Sequence, residues 1–198
     1  MAVARRVPRH EKQNAKRSRP EKAVGVVENK FIIDPSLLDF DNPIADIDAI
    51  REMNPQRFEM EQLTAILYED VERNICAALK DVTDDEFWIR GHMPGMPLMP
   101  GVVMLEAAAQ LSSFFTQKYD LLGAAMVGFG GVDDVRFRGV VTRGDKLILM
   151  VQLLKVRRGR MIVAAFQGVV DGTLVLEGTL RGIPIPVEAV ENLMARRS

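Results

Sequence analysis

The chain has 198 residues, of which 47% are hydrophobic, and its formal net charge is −1. This length suits one domain of ordinary size with extensions, and the near-neutral charge gives no overall field that favours nucleic acid as a partner. The single cysteine, Cys76, excludes an internal disulfide and fits a reducing compartment. Since the sequence lacks both a secretory signal and an apolar run of about 18 residues, we expect a cytoplasmic protein without a membrane span.

The N-terminal part of the chain differs from the rest in charge and pattern. Eight lysines and arginines fall within the first 22 residues. For residues 1–28 we predict a disordered basic tail, with contact to RNA, an acidic partner or lipid headgroups as the alternative. Residues 29–54 mix turn signals with a short helical pattern through Ile44, Ile47 and Ile50, which predicts an extension packed on the main fold. Residues 186–198 are expected to form a C-terminal tail.

The central part of the sequence predicts a helix enclosed by strands. Residues 63–68 and 74–82 are apolar runs separated by charged residues, as in a hairpin. Prolines at 94, 97 and 100 exclude a helix in the next segment, whereas residues 102–118 are apolar or small at nearly every position, so this helix should be surrounded by protein on almost all sides. Four further strands are predicted at residues 126–137, 146–156, 160–170 and 173–181. An α+β fold follows, in which an antiparallel sheet curls around the helix.

Two side chains near the start of this helix could carry acid–base chemistry. Glu106 follows the helix start by about one turn, and its apolar surroundings favour the protonated form, so that it could donate a proton. The alternative is a structural role, with Glu106 at a subunit interface or paired with an arginine such as Arg136 or Arg138. His92 is the only histidine outside the basic tail, and imidazole changes protonation state near neutral pH, which suits a general base.

The entry to the helix supplies a third element. At Pro100-Gly101 the unpaired N–H groups of the first turn could stabilise an enolate oxygen, and Gly101 lets a ligand approach the backbone closely. Base, acid and oxyanion site together fit proton abstraction beside a carbonyl with loss of a β-leaving group. The sequence shows no glycine-rich phosphate loop and no paired Cys/His spacing, so we expect neither a cofactor nor a metal.

These residues resemble a known family, the β-hydroxyacyl-(acyl carrier protein) dehydratases of bacterial fatty-acid synthesis of the FabZ type. The motif of that family is Gly-His-Phe-Pro, a ladder of prolines ending in Pro-Gly-Val, and then Glu-Ala-x-Ala-Gln. The matching segments are Gly91-His92-Met93-Pro94, Pro97, Pro100-Gly101-Val102 and Glu106-Ala107-Ala108-Ala109-Gln110. The likeness extends over about residues 55–185, which we take as the dehydratase domain.

The resemblance implies a hot-dog fold and a reaction. Water would be removed reversibly from a (3R)-3-hydroxyacyl thioester on acyl carrier protein to give the trans-2-enoyl thioester. His92 would take the C2 proton, and Glu106 would protonate or position the departing 3-hydroxyl. The oxyanion and substrate-binding set would be Gly101, Val102, Met93, Gln110, Phe129 and Gly130. The resemblance further implies a homodimer in which His92 of one subunit works with Glu106 of the other, and assembly into a hexamer as a trimer of dimers.

The chain departs from the family pattern at two places. Met93 stands where members usually carry Phe, and Gln56-Arg57-Phe58-Glu59 stands where they usually carry His-Arg-Tyr-Pro. An acidic carrier would meet a basic tunnel mouth, for which the candidates are Arg138, Arg143, Arg157, Arg158 and Arg160. The alternatives are a hot-dog thioesterase, a CoA-linked hydratase and a non-catalytic acyl-binding subunit.

Overall fold

The structure, a computed structural model, describes residues 30–197, so the predicted basic tail lies outside the described residues. The strands are β1 (Ala65–Asp70), β2 (Ile75–Asp81), β3 (Val127–Phe137), β4 (Lys146–Arg157), β5 (Met161–Val170) and β6 (Thr173–Pro184). The helices are α1 (Ile47–Met53), α2 (Gly101–Lys118) and α3 (Val187–Ala195), and two 3₁₀ turns cover Pro35–Leu37 and Phe58–Met60. All strands join one antiparallel sheet in the order β1-β2-β4-β5-β6-β3.

Helix α2 fills the concave side of this sheet. The inner core combines α2 with side chains from each of the six strands, among them Ile66, Ala78, Leu149, Phe166 and Leu180, together with Val135 at its margin. Phe114 and Phe115 are the bulkiest buried side chains of the helix, at 1% and 0% exposure. This arrangement is the predicted hot-dog fold.

The prediction that α2 is enclosed on almost all sides is wrong for its first turn. Val102 is 71% exposed, whereas Met104 is 3% and Ala107 0% exposed. The loop that precedes the helix is joined at Leu98 to Thr142, in the segment between β3 and β4. At the other end of the helix, Glu69 of β1 accepts hydrogen bonds from Lys118 Nζ at 2.6 Å and Tyr119 Oη at 3.0 Å, which fixes α2 against the sheet.

The sheet is apolar on both faces where β1, β2 and β4 lie side by side. Alternate residues of these strands point away from α2 and form a second, outer cluster, whose strand members include Leu67, Ile75, Ala77, Ile148 and Met150. Strands that are buried on both faces read as continuous apolar runs instead of alternating ones. The unbroken apolar pattern of residues 75–79 therefore has its explanation in this outer cluster.

The segment before α1 covers the outer cluster. Ile33 and Leu38 are buried there at 4% and 8% exposure, with Phe31 and Ile32 packed alongside. The backbone N–H of Ile32 donates to Gln167 Oε1 on β5 at 2.7 Å. Residues 30–54 thus contact both faces of the fold, because Ile50 of α1 packs into the inner core.

The predicted hairpins and strands are present with small shifts of their ends. Asp171 and Gly172 join β5 to β6 with φ values of +48° and +70°, as the Asp-Gly signal indicated. The C-terminal tail predicted for residues 186–198 contains α3. None of the helices within residues 30–197 is both long and apolar enough to cross a membrane.

Replacement of Ile33 by alanine tests the packing of the N-terminal segment on the sheet. Because Ile33 is 4% exposed in the outer cluster, we expect Ile33→Ala to lower the free energy of unfolding by about 2–4 kcal/mol. Leu37 lies four residues away but is 59% exposed, so Leu37→Ala is the matched control and should cost under about 1 kcal/mol. Urea denaturation measures both, and equal effects would contradict this packing.

Candidate active site

The loop that carries His92 is fastened at several points. Lys80 of β2 and Glu86 form a buried ion pair at 2.5 Å. Trp88 is 3% exposed and packs in the inner core. Its backbone carbonyl accepts a hydrogen bond from the His92 N–H at 2.8 Å. After the prolines, Met99 N–H donates to Val141 O at 2.7 Å, which ties the loop to the sheet before α2 begins. A loop without regular hydrogen bonds thereby holds a defined position.

The His92 imidazole has a defined tautomer. Its Nδ1 lies 2.9 Å from Leu98 O. Since a carbonyl oxygen only accepts, Nδ1 carries the proton, and Nε2 keeps the lone pair that a general base requires. His92 lies at the edge of a mainly apolar groove of about 380 Å³. The groove is lined by Leu98, Met99, Pro100, Gly101, Val102, Met104, Phe137, Gly139 and Val140.

The N-terminus of α2 opens into the same groove. Within residues 30–197, the backbone N–H groups of Gly101 and Val102 have no hydrogen-bond acceptor, as is usual for the first turn of a helix. A Cβ at Gly101 would lie 2.6 Å from the ring of Phe137, so only glycine permits the ring to rest against this turn. The free N–H groups and the positive end of the helix dipole suit a developing oxyanion.

Glu106 lies in a different, smaller cavity of about 70 Å³ between α2 and the β3–β6 part of the sheet. This cavity is lined by Gln56, Glu106, Ala109, Ser112, Ser113, Val127, Gly128, Phe129, Ile162, Leu180, Arg181 and Gly182. Oε1 of Glu106 accepts hydrogen bonds from Gln110 Nε2 at 2.8 Å and from Gln56 Nε2 at 3.4 Å. Within residues 30–197 no hydrogen bond reaches Oε2, so this oxygen remains available to a ligand.

Gln110 is the side chain that fixes Glu106. Its Oε1 accepts the N–H of Gln62 at 2.9 Å, and its Nε2 donates both to Met60 O at 2.7 Å and to Glu106. Gln110 is 2% exposed. Both N–H groups of this buried carboxamide and one lone pair of its Oε1 therefore have partners. An exchange of the positions of Oε1 and Nε2 would break all three hydrogen bonds.

Within one chain, His92 and Glu106 do not share a cavity. The two cavities have no lining residue in common. Of the other predicted site residues, Gly101 and Val102 line the His92 groove and Phe129 lines the Glu106 cavity, whereas Met93 and Gly130 line neither. A Cβ at Gly130 would meet Ile183 at 2.8 Å, because this glycine packs against β6.

The structure adds lining residues that the sequence did not single out. Gln56 contacts Glu106, Phe137 lines the groove beside Gly101, and Arg181 borders the Glu106 cavity. Gln56 lies where the chain departs from the family pattern, and Phe137 lies within residues 55–185, over which the likeness extends, so the comparison with the family was the available signal. Arg181 lies on β6. The two-residue period of a strand indicates only which face of the sheet a residue occupies, so the sequence did not show that Arg181 borders a cavity.

The structural alternative for Glu106, a pairing with Arg136 or Arg138, is not observed. Arg138 instead forms an ion pair with Glu177, and Arg181 pairs with Asp133. Cys76 is fully buried, and burial raises the pKa of its thiol well above the usual value, so it does not suit a nucleophile. Among residues 30–197, no group of three or more His, Cys, Asp and Glu side chains could hold a metal ion.

Comparison with known proteins decides the family. The family model described as a FabA-like domain matches residues 54–179. The chain belongs to the FabA-like family. It is 40% identical over 138 residues to the 3-hydroxyacyl-[acyl-carrier-protein] dehydratase FabZ of Desulfotalea psychrophila, covering 68% of this chain and 90% of that protein. With the FabZ of Streptococcus gordonii it shares 37% identity over 135 residues, covering 68% of this chain and 94% of that protein. This FabA-like chain is thus an enzyme of the FabZ type.

Solved structures agree with this fold. The dehydratase heterocomplex ApeI:P of Xenorhabdus doucetiae matches with a TM-score of 0.60 at 18% identity, over 73% of this chain and 96% of that one. The virulence protein Cj0977 of Campylobacter jejuni matches with a TM-score of 0.55 at 15% identity and the same coverage. At these identities the likeness shows that the FabA-like chain shares their fold.

Replacement of Gln110 by leucine tests the support of Glu106. The change leaves the buried N–H of Gln62 and the carbonyl of Met60 without their partners, so we expect Gln110→Leu to lower the free energy of unfolding by about 1–3 kcal/mol. Gln117 lies two turns further along the same helix and donates to Ala125 O near the surface. Gln117→Leu is therefore the control, with an expected change within about 0.5 kcal/mol. Chemical denaturation that finds the two variants equally stable would contradict the role of Gln110.

Proposed function

We propose that this chain is a 3-hydroxyacyl-[acyl carrier protein] dehydratase of fatty-acid biosynthesis, with active sites shared between two copies of the chain. The proposal rests on one observation: within one chain, the proposed base and the proposed acid line two separate cavities. The base, His92, and the oxyanion donors line one groove, while the acid, Glu106, lines another cavity. One chain alone holds two half-sites, and a second copy is needed to complete each of them.

Strand β3 provides the surface on which two copies would join. It is the last strand of the sheet, and within residues 30–197 no strand pairs with its outer edge. It also exposes large apolar side chains, among them Phe129 at 53% and Phe137 at 52%. An unpaired edge with exposed apolar side chains is a template for pairing with another chain, and two-fold dimers are the commonest oligomers.

The two ends of β3 border the two half-sites. Phe129 near the start of the strand lines the Glu106 cavity, and Phe137 at its end lines the His92 groove. The two residues are separated by roughly 25 Å of extended chain. Antiparallel pairing of β3 with its copy brings the end of one strand beside the start of the other. His92 of one subunit then faces the Glu106 cavity of the partner.

The mechanism follows from the free atoms of each half-site. His92 Nε2 removes a proton from C2 of the 3-hydroxyacyl thioester, while the N–H groups of Gly101 and Val102 stabilise negative charge on the thioester oxygen. The Oε2 of the partner's Glu106 donates a proton to the 3-hydroxyl. The C3–O bond breaks, water leaves, and the electrons of the C2–H bond form the C2=C3 bond of the enoyl product.

The carrier protein is proposed as the substrate-bearing partner on the strength of the FabZ relatives. Among the arginines considered for its docking, Arg138, Arg143 and Arg158 form ion pairs with Glu177, Asp84 and Asp120. Within residues 30–197, Arg157 and Arg160 have no ion pair, so they remain the available cations of that set. Assembly of dimers into a hexamer stays a prediction.

Loss of either proton-transfer group should abolish turnover while the fold is kept. We expect His92→Ala and Glu106→Gln each to lower kcat by about 10²–10⁴-fold on a (3R)-3-hydroxyacyl carrier protein, because each variant removes one proton transfer. Mass spectrometry of the acyl carrier follows the loss of water, and circular dichroism checks the fold. Release of a free thiol by the wild type would favour the thioesterase alternative, and an unchanged rate in either variant would refute its assigned role.

Mixed dimers of the two inactive variants test the sharing of the site. When His92→Ala and Glu106→Gln subunits are unfolded together and refolded, half of the dimers are mixed, and each mixed dimer has one intact site. We therefore expect about a quarter of the wild-type activity to return. Each variant refolded alone is the control and should stay inactive. If the mixture also stays inactive although mixed dimers form, the two residues do not work across the interface.

A further inference from the structure

Glu106 is flanked by two carboxamides, and one of them is not explained by the fold. Gln110 lies one helical turn away on α2, whereas Gln56 comes from the loop after α1, fifty residues earlier in the chain. Both donate to the same oxygen, Oε1. We propose that Gln56 is a positioning residue that, together with Gln110, confines the acid proton of Glu106 to Oε2. This inference rests on the proposed dehydratase function.

The loop that carries Gln56 is held rigidly behind the cavity. Asn54 ends α1, and its Nδ2 donates to Gln110 O at 2.9 Å, which fastens the loop to α2. The guanidinium of Arg57 donates to Asn54 O at 2.7 Å, and Arg51 forms an ion pair with Glu61 at 2.7 Å. The hydrogen bond from Arg51 holds the pKa of Glu61 below its usual range, so this pair is ionised at neutral pH. These contacts hold the loop after α1 in place, and the loop positions the side chain of Gln56 beside Glu106.

The carboxamide of Gln56 is oriented with its N–H group towards Glu106. Its Nε2 faces Oε1 of Glu106, and the reverse orientation would place two oxygens against each other. Its own Oε1 is buried without a protein partner, as is Asn54 Oδ1. Gln56, Asn54 and Gln110 also line a small cavity of about 10 Å³ behind the site.

Two donors on Oε1 determine which oxygen of Glu106 can act as the acid. An oxygen that accepts two N–H groups loses at least one of these bonds if it becomes protonated. The proton is thereby directed to Oε2, which accepts no hydrogen bond within residues 30–197 and which the proposed mechanism places against the 3-hydroxyl of the substrate. Gln56 acts through Glu106 and does not itself exchange a proton, because a carboxamide has no titratable group near neutral pH.

Substitution of Gln56 should therefore change the chemical step more than substrate binding. We expect Gln56→Met to lower kcat about tenfold with KM within about twofold of wild type, since the lost bond serves the transition state. Gln56→Glu keeps the shape but places a second carboxyl oxygen opposite Oε1, so its kcat should fall further. Gln56→His restores an N–H donor and should recover most of the rate at neutral pH.

Matched controls separate the possible outcomes. Gln117→Met, at the far end of α2, should keep the wild-type kcat, and thermal unfolding shows whether each variant is folded. If Gln56→Met does not fold, the isosteric Gln56→Glu decides. Wild-type kcat in the Gln56 variants, or a raised KM with kcat unchanged, would overturn the positioning role while the dehydratase function stands. A wild-type protein inactive on the carrier thioester would instead refute the proposed function, and the positioning role with it.

Discussion

The burial of α2 is the constraint on which the rest of the structure depends. A helix that is apolar on nearly every side has to be covered on nearly every side, and one sheet can do this only by curling around it. The cost of burial is concentrated at the polar positions of the helix, because an unpaired buried polar group is destabilising. Gln110 meets this requirement with partners from residues 60 and 62, and in doing so it orients Glu106. The hydrogen bonds of Gln110 thus stabilise the buried helix and orient Glu106 at the same time.

The exposed first turn of α2 leaves backbone donors open to a ligand. Within residues 30–197, the N–H groups of Gly101 and Val102 have no acceptor, and they lie at the edge of a groove next to an imidazole whose Nδ1 faces Leu98 O. The acid lies one turn further in, on the side of the helix that faces the start of β3. The curled sheet separates these two regions within one chain. The outer edge of β3, which pairs with no strand within residues 30–197, is where we propose that a second copy brings them together.

The N-terminal segment explains the two-faced character of the sheet. In a sheet with one wet face, the residues that point away from the helix should be polar. Here Leu67, Ile75 and Met150 point outward, and the segment with Ile33 and Leu38 covers them. The residues that precede the family domain are therefore part of the core, and they also lead into α1 and the loop that delivers Gln56. The N-terminal extension is thus continuous with the loop that positions Gln56 beside Glu106.

Much of the fold was determined by local patterns in the sequence. The helix at 102–118, the hairpin turn at Asp171-Gly172 and the irregular proline loop follow from a long run of apolar and small residues, the positive φ that glycine accepts, and the donor that proline lacks. The histidine outside the basic tail and the acid near the start of the apolar helix likewise indicated His92 and Glu106 as candidate proton-transfer groups. These features depend on neighbours within a few positions, which is why the sequence alone contains them.

Other features were decided only by the tertiary structure. The exposure of Val102, the outer cluster, the separation of His92 from Glu106 and the contact of Gln56 with Glu106 each depend on segments that are distant in the chain. No local period encodes that the carboxamide of Gln56 reaches a carboxylate fifty residues away, because that contact depends on how α1 and α2 pack against each other. Sequence therefore determined the elements and the reactive groups, and three-dimensional packing determined which groups meet.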